Sequence, residues 1–404
     1  MKNLFNFIKN LFNKKRHDLP NYDECVRMCN KKNSPFYEVK TVVDGYRVSL
    51  FNYRLANNSD FNTIHSREMR GLCFVFNLDG SLFKRYILLE KFFNLNQTES
   101  TNYDKVKNYK IKFVNNKEDG SIASFIMLPN GKVVGKSKMG FDNDQAAGIN
   151  RVYRSNPSIK KFVDNLLERD IVPIFEYVAP SNRIVLRYNY ENLILLKLRC
   201  NKTGLHLPLS DFDLDGIDIA KFENCNNLDE LLKSLNVATD KEGVIVQTED
   251  NSGKDFFFKI KTPWYISLHG ILTEDVFREN RLISYILDEK VDDVLGQLPE
   301  EDSELRNKIL SIMNLVKNEI SHRESDILDM WNIFVSLDKN KKEFAQKYLA
   351  GNQNAALALR LLKGVTAFDL SKEVLREKTK KLSDARNWLE SKDKNLIFNS
   401  NSEE

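Results

Sequence analysis

The sequence predicts an α+β protein, a mostly antiparallel sheet core followed by an all-helical region. Two observations carry this. From about residue 36 to 265 the chain is a series of short β-branched or aromatic runs bounded by turn residues. After about residue 270 the apolar period becomes helical: Leu305, Ile309, Ile312, Val316 and Ile320 fall at i, i+4, i+7, i+11 and i+15. A chain of 404 residues is long enough for two or three cores. The change of period divides it into 1–268 and 269–404.

The elements follow in chain order. Leu4, Phe5, Phe7, Ile8, Leu11 and Phe12 recur at helical spacing ahead of Lys14, Lys15 and Arg16. A secretory signal has the reverse order, charge first. This stripe is expected to dock on the following domain; a helix lying on a membrane is the other reading. Strands are expected at Tyr46–Leu55, Gly71–Asn77, Phe83–Leu89 and Lys110–Val114. Ser121–Leu128 and Lys132–Lys136 flank Pro129-Asn130-Gly131, a hairpin signal. Further strands are expected at Val172–Val178, Ile184–Tyr188, Leu193–Leu198, Gly243–Gln247 and Phe256–Lys261. Helices are expected near Gln145–Tyr153, Ser158–Glu168 and Leu228–Leu235. Beyond the 305–320 helix, Ser325–Leu337, Lys341–Leu349, Asn354–Leu362 and Ser371–Leu389 also read as helical, punctuated by Gly351 and Gly364. The polar tail Asn399–Glu404 is expected to fray.

Composition narrows the function classes. Lys plus Arg number 61 and Asp plus Glu 57. The net charge of +4 excludes an acidic disordered chain and a histone-like polybasic one. No apolar run approaches the roughly 20 residues of a membrane span, so no membrane partner is expected. Cys25, Cys29, Cys73, Cys200 and Cys225 form no paired framework, which points to a reducing cytoplasm, the host's if the chain is viral. Cys25 and Cys29 lack a second pair at zinc-ligand spacing.

The sharpest chemical signal is Lys117-Glu118-Asp119-Gly120-Ser121, between two apolar strands. A lysine there suits a covalent nucleophile; a polar turn is the plain alternative. Lys40 shows how easily the pattern is mimicked, since it precedes Asp44-Gly45 with one residue too many. Glu176 interrupts Ile174-Phe175-Glu176-Tyr177-Val178, and Glu242 opens Glu242-Gly243-Val244-Ile245-Val246. Lys259 and Lys261 alternate in Phe257-Phe258-Lys259-Ile260-Lys261 and so share one strand face. Charges inside such apolar runs are costly unless paired, metal-bound or functional.

The order Lys-x-Asp-Gly, F-E-Y, E-G-V-I-V, K-I-K resembles the motif series of DNA ligases, RNA ligases and mRNA capping enzymes. Within that superfamily the chain resembles the RNA ligase 1 family of bacteriophages. The pieces that carry this are Arg70-Gly71 in RGLCFVF, Glu90 to Asn94 in EKFFNLN, and Lys136-Ser137-Lys138. FEYVAPSNRIV from Phe175 and KIKTPWYISLH from Lys259 add to them. The likeness is dense over roughly 36–270 and weaker through the helical C-terminus.

The resemblance implies an antiparallel-sheet nucleotidyltransferase domain of the ATP-grasp-like ligase kind, 1–268, and a helical domain, 269–404, that favours tRNA. It implies an ATP-dependent RNA ligase joining 5′-phosphate and 3′-hydroxyl ends. Lys117 attacks the α-phosphate of ATP, AMP passes to the RNA 5′-phosphate, and a 3′-hydroxyl then displaces AMP. A free lysine holds its proton to about 10.4; Lys259, Lys261 and a metal ion are cations that disfavour the ammonium. Arg70, Lys91, Lys138, Lys259 and Lys261 match positions that contact the nucleotide or its phosphates. Glu118, Glu176 and Glu242 match groups that either hold Mg²⁺ (or Mn²⁺) through water or bond the ribose. Phe93 either packs on adenine or is core, and Tyr265 either supports the site or is core. Asp292-Asp293 either hold a second metal or form a solvated helix face. Lys372, Arg376, Lys378, Lys380, Lys381 and Arg386 are either a phosphate-binding face or a solvated one.

The implied partners are RNA, in particular tRNA cleaved in the anticodon loop, and a polynucleotide kinase-phosphatase that prepares the ends. A DNA ligase or capping enzyme is the alternative, opposed by the lack of an OB-fold pattern after Lys261. A non-catalytic RNA-binding relative is a third reading, opposed by the intact Lys117, Glu242, Lys259 and Lys261.

Overall fold

The computed structural model describes residues 18–250, 253–268, 278–296 and 303–398. The stripe Leu4–Phe12 and the tail Asn399–Glu404 lie outside the described residues. The chain forms two compact units, Met1–Gly270 and Ile271–Glu404.

The first unit holds three sheets. One runs β1 (Phe36–Val43), β2 (Tyr46–Tyr53), β3 (Leu72–Phe76), β4 (Leu82–Tyr86), all antiparallel. A second has the order β11 (His206–Leu207), β10 (Asn192–Cys200), β9 (Ile171–Val178), β7 (Ser121–Met127), β8 (Val133–Ser137). The third has the order β12 (Phe222–Glu223), β6 (Lys110–Asn116), β13 (Gly243–Glu249), β14 (Asp255–Lys261), β5 (Phe93–Asn94). Only β5 joins its neighbour in parallel among these ladders, pairing Phe93 with Phe258.

Packing explains the strand patterns. β9 is buried at every position, so it reads as a continuous apolar run rather than an alternating one. Val172, Ile174 and Phe175 belong to one core with Phe51 and Phe74 of the first sheet and Ile159 and Val163 of the helix Pro157–Glu168. That helix is capped by Asn156, whose side chain accepts from Ser158 and Ile159, with proline at its first position. A smaller core under the third sheet joins Val114, Val244, Val246 and Phe258 to Leu231 and Leu235 of the helix Leu228–Asn236.

Several expectations need correction. Ile184–Tyr188 is irregular rather than a strand. The Val185 and Leu186 N–H groups donate to Asp119 instead of a ladder. β1 is not among the expected strands because polar residues, Glu38, Lys40 and Thr41, break its apolar pattern. In the second unit, the segments 305–320 and 325–337 form one helix of 34 residues, Ser303–Ser336. The 371–389 segment is two helices, Ala367–Lys378 and Leu382–Glu390, parted where Lys381 adopts extended backbone. Short helices Glu279–Leu287 and Val291–Leu295 precede the long one. Among the described residues no helix is long and apolar enough to cross a membrane. The five cysteines are free thiols.

Candidate active site

Sheet register assembles the centre. Lys117 is the first residue after β6, and its N–H donates to the Gly243 carbonyl at 2.9 Å. Gly243 faces Lys261 across the β13–β14 ladder. Glu242 is therefore flanked by both lysines. Its Oε2 lies 2.6 Å from Lys117 Nζ and its Oε1 3.2 Å from Lys261 Nζ. The glutamate is 3% exposed and Lys117 24%. A carboxylate this buried needs compensating charge, and here two ammonium groups share it. Gly243 is required by close approach: a Cβ there would lie 2.0 Å from the Ile260 carbonyl oxygen.

The turn after Lys117 is held from several sides. The Gly120 N–H donates to Glu176 Oε1 at 3.1 Å. A Cβ at Gly120 would lie 2.3 Å from the Tyr177 carbonyl oxygen, so only glycine lets the turn rest on β9. Burial pushes the Glu176 carboxyl up to about 8, against the pull of Lys117 and Arg70. Tyr188 donates to Glu118 Oε2 at 2.9 Å, and its hydroxyl accepts the Asp119 N–H at 3.1 Å. Asp119 is 2% exposed and accepts from Val185, Leu186 and the Tyr265 hydroxyl.

A pocket of about 420 Å³ opens beside Lys117. Arg70, Lys138 and Glu176 give it charge, while Phe92, Leu196 and Ile245 give it apolar wall. Arg70 also donates weakly to the Leu89 carbonyl at 3.4 Å, and Lys138 Nζ stands 5.0 Å above the Tyr53 ring. Behind the segment that supplies Phe92 lies the buried Arg199. It donates to both Glu68 oxygens, at 2.9 and 2.7 Å, and pairs with Glu90 at 3.3 Å.

The other sequence-derived candidates fall elsewhere. Lys91 Nζ stands 5.4–5.6 Å from the centroids of Tyr53, Phe61 and Phe93. Phe93 is core, packed edge-on against Phe61; the neighbouring ring, Phe92, is the one on the pocket wall. Lys259 faces Ile245 in the ladder and lies on the same strand face as Lys261. Tyr265 is buried and bonded to Asp119. Asp292 and Asp293 lie in the second unit, on the helix Val291–Leu295. Among the described residues no three His, Cys, Asp or Glu side chains group as a metal centre. Of the basic run, Arg376 pairs with Asp288 at 2.6 Å and Arg386 with the buried Glu279 at 3.1 Å.

Sequence reading missed Phe92, Tyr188 and the clamp made by Asp119. The available signal for the last was an acidic residue within the Lys-x-Asp-Gly turn, set between two apolar strands.

The fold joins antiparallel sheets to a turn-borne lysine set beside a pocket that is both cationic and apolar. Residues 68–265 match the RNA ligase family model. The chain is 28% identical over 289 residues to a Thermovibrio ammonificans protein assigned as an RNA ligase, covering 69% of this chain and 74% of that one. It is 25% identical over 212 residues to the RNA ligase of Rhodothermus phage RM378, covering 43% and 46%. Among solved structures, an archaeal ATP-dependent RNA ligase is similar with a TM-score of 0.46 and 13% identity, over 70% of this chain and 76% of that one.

Proposed function

We propose that the chain is an ATP-dependent RNA ligase that seals 5′-phosphate and 3′-hydroxyl ends through a lysyl-AMP at Lys117, with broken tRNA as its substrate. The observation that carries this reading is the bridge from Lys117 through Glu242 to Lys261 at the edge of the 420 Å³ pocket. The pocket suits a nucleotide. Phe92, Leu196 and Ile245 offer a surface for a base, and Arg70 and Lys138 offer charge for phosphate.

Lys117 must lose its proton before it attacks. When it does, Glu242 keeps a cation beside it because Lys261 holds the second oxygen. Nζ then bonds to the α-phosphorus and the bond to pyrophosphate breaks. Lys259 and Lys261, on one strand face, supply positive charge as the phosphate oxygens gain negative charge. An oxygen of the RNA 5′-phosphate attacks the same phosphorus, the P–N bond breaks, and Lys117 regains a proton. A 3′-hydroxyl then attacks the activated 5′-phosphate and AMP leaves. Glu176 is the carboxyl that fits a hydrated Mg²⁺ or Mn²⁺, whose charge would favour its ionised form, since Lys261 keeps one Glu242 oxygen throughout. Such an ion would offset charge on departing pyrophosphate. The remaining parts of the proposal are a second metal at Asp292-Asp293 and a kinase-phosphatase that prepares the ends.

The test is incubation with ATP labelled at the α-phosphate. An acid-labile protein–AMP adduct should form and map to Lys117, and Lys117→Ala should abolish it. Label on another lysine would overturn the assignment. Sealing of a panel of broken tRNAs against unstructured RNAs tests the substrate.

A further inference from the structure

The turn that carries Lys117 has a second face. A concavity of about 780 Å³ opens there, and Asn116, Lys117 and Glu118 line both it and the nucleotide pocket. Much of its wall is the irregular 183–190 segment anchored by Asp119 and Tyr188. Arg183 and Arg187 of that segment are exposed, as is Lys221. Lys221 is fixed through its carbonyl, which accepts the Asn116 N–H at 2.8 Å. Among the described residues these three cations have no ion pair. Most acidic groups in the wall are committed elsewhere. Glu242 is held by Lys117 and Lys261, Glu118 accepts from Tyr188, and Asp218 accepts from Asn192 at 2.5 Å. Lys241 is matched by Glu223. Three cations thus face a single uncommitted carboxylate, Asp240.

The same wall carries aromatic rings. Tyr190 is 49% exposed and set edge-on to Tyr188 at 5.8 Å, and Trp264 lines the same concavity. Cations that track phosphates, interleaved with rings on which unpaired bases stack, form the recognition surface for single-stranded nucleic acid. The chemistry also asks for two ligands that meet at Lys117, the AMP bonded to it and the phosphate that displaces it. Two cavities sharing Lys117 and otherwise differently walled meet that requirement.

We infer that this concavity docks the 5′-phosphate end of the single-stranded RNA donor, with Arg183, Arg187 and Lys221 on its phosphates and Tyr190 and Trp264 against its bases. The inference rests on the nucleotidyl-transfer reading above and gives the donor strand its place in it. In the step served, a donor phosphate oxygen bonds to the AMP phosphorus, the P–N bond to Lys117 breaks, and the lysine takes up a proton. The phosphate tail of ATP is the other source of the same ligand chemistry.

The test uses full-length Arg187→Ala, Lys221→Ala and Tyr190→Ala with two readouts. One is adduct formation from labelled ATP. The other is single-turnover transfer of AMP from preformed adduct to a short, unstructured, 5′-phosphorylated RNA, at several RNA and salt concentrations. Adduct formation should stay within about twofold of wild type. Transfer at low RNA should fall about tenfold or more for each lost cation and recover as RNA is raised. The salt dependence of RNA affinity should flatten by roughly 0.7 per lost phosphate contact, and Tyr190→Ala should weaken transfer without flattening it. Adduct formation falling in step with transfer would assign the concavity to the ATP tail and overturn the inference. Unchanged transfer would overturn it as well. A wild-type protein that forms no adduct at Lys117 would instead sink the nucleotidyl-transfer reading.

Discussion

The Tyr265 hydroxyl donates to Asp119 Oδ1 at 2.7 Å, joining residues 146 positions apart. The other oxygen of that carboxylate accepts the Val185 and Leu186 N–H groups at 2.8 and 2.7 Å. One buried acid thereby fixes three pieces of chain: the turn that presents Lys117, the 183–190 segment and the first turn of the helix Pro263–Leu268. A carboxylate can only accept, so each contact depends on a donor that the fold must deliver.

Tyr265→Phe should therefore keep the ring packing and lose one charge-assisted hydrogen bond. The expected cost is about 1–3 kcal/mol, read as a lower Tm by circular dichroism. Adduct formation from ATP should slow as the Lys117 turn loosens. An unchanged Tm would show that Asp119 does not depend on this hydroxyl.

A second prediction concerns Lys136, which is fully buried. Its Nζ donates to the Gly71 and Ser137 carbonyls at 2.9 and 3.2 Å. Burial pushes this amine down to about 8. Unfolded, it holds its proton to about 10.4. Between those values the unfolded chain binds more protons, so this group adds stability as pH rises from about 8 to about 10.4. Lys136→Met keeps a similar stem and cannot titrate. Wild type should gain on it by roughly 2–3 kcal/mol across that window, measured by urea unfolding of both proteins at pH 7.5 and 10. A difference independent of pH would refute the assignment.

Much of this was legible because burial writes itself into periodicity. β9 reads as an unbroken apolar run because both its faces are covered, and Glu176 stands out against it. Lys117, Glu242 and Lys261 were legible as motifs, and register alone brings them together. What escaped depends on partners distant in sequence. Ile184–Tyr188 has strand-like residues, yet its N–H groups are taken by Asp119. Phe92 and Phe93 are chemically equal, and only the pairing of Phe93 with Phe258 decides which one is buried in the ladder. Arg376 and Arg386 read as solvent-facing cations, although each has an acidic partner far earlier in the chain, Asp288 at 88 residues and Glu279 at 107.

The third prediction separates the chemical steps. Lys259 and Lys261 alternate on one strand face, and Lys261 shares Glu242 with Lys117. In the proposed mechanism they serve adenylate formation and adenylate use alike. Lys259→Ala should lower sealing of a pre-adenylated RNA donor by at least roughly 100-fold. Normal sealing of that donor would confine this lysine to the first step.

The last prediction divides the basic run of the second unit by role. Glu279 is fully buried, accepts from the Phe398 N–H at 2.8 Å and pairs with Arg386 at 3.1 Å. Removing the guanidinium leaves a buried carboxylate with less compensation. Arg386 is itself 29% exposed, so solvent offsets part of the loss. Arg386→Ala should cost about 1–3 kcal/mol and lower the Tm. Lys380 and Lys381 are exposed, and Lys380 has a 3.4 Å pair with the equally exposed Glu377. Such a surface pair is worth little, so Lys380→Ala with Lys381→Ala should leave the Tm unchanged. If the helical unit sets the preference for broken tRNA through phosphate contacts, this pair of substitutions should weaken sealing of cleaved tRNA several-fold. Sealing of a short unstructured RNA should stay near wild type. Equal loss on both RNAs, or loss on neither, would remove these lysines from tRNA recognition.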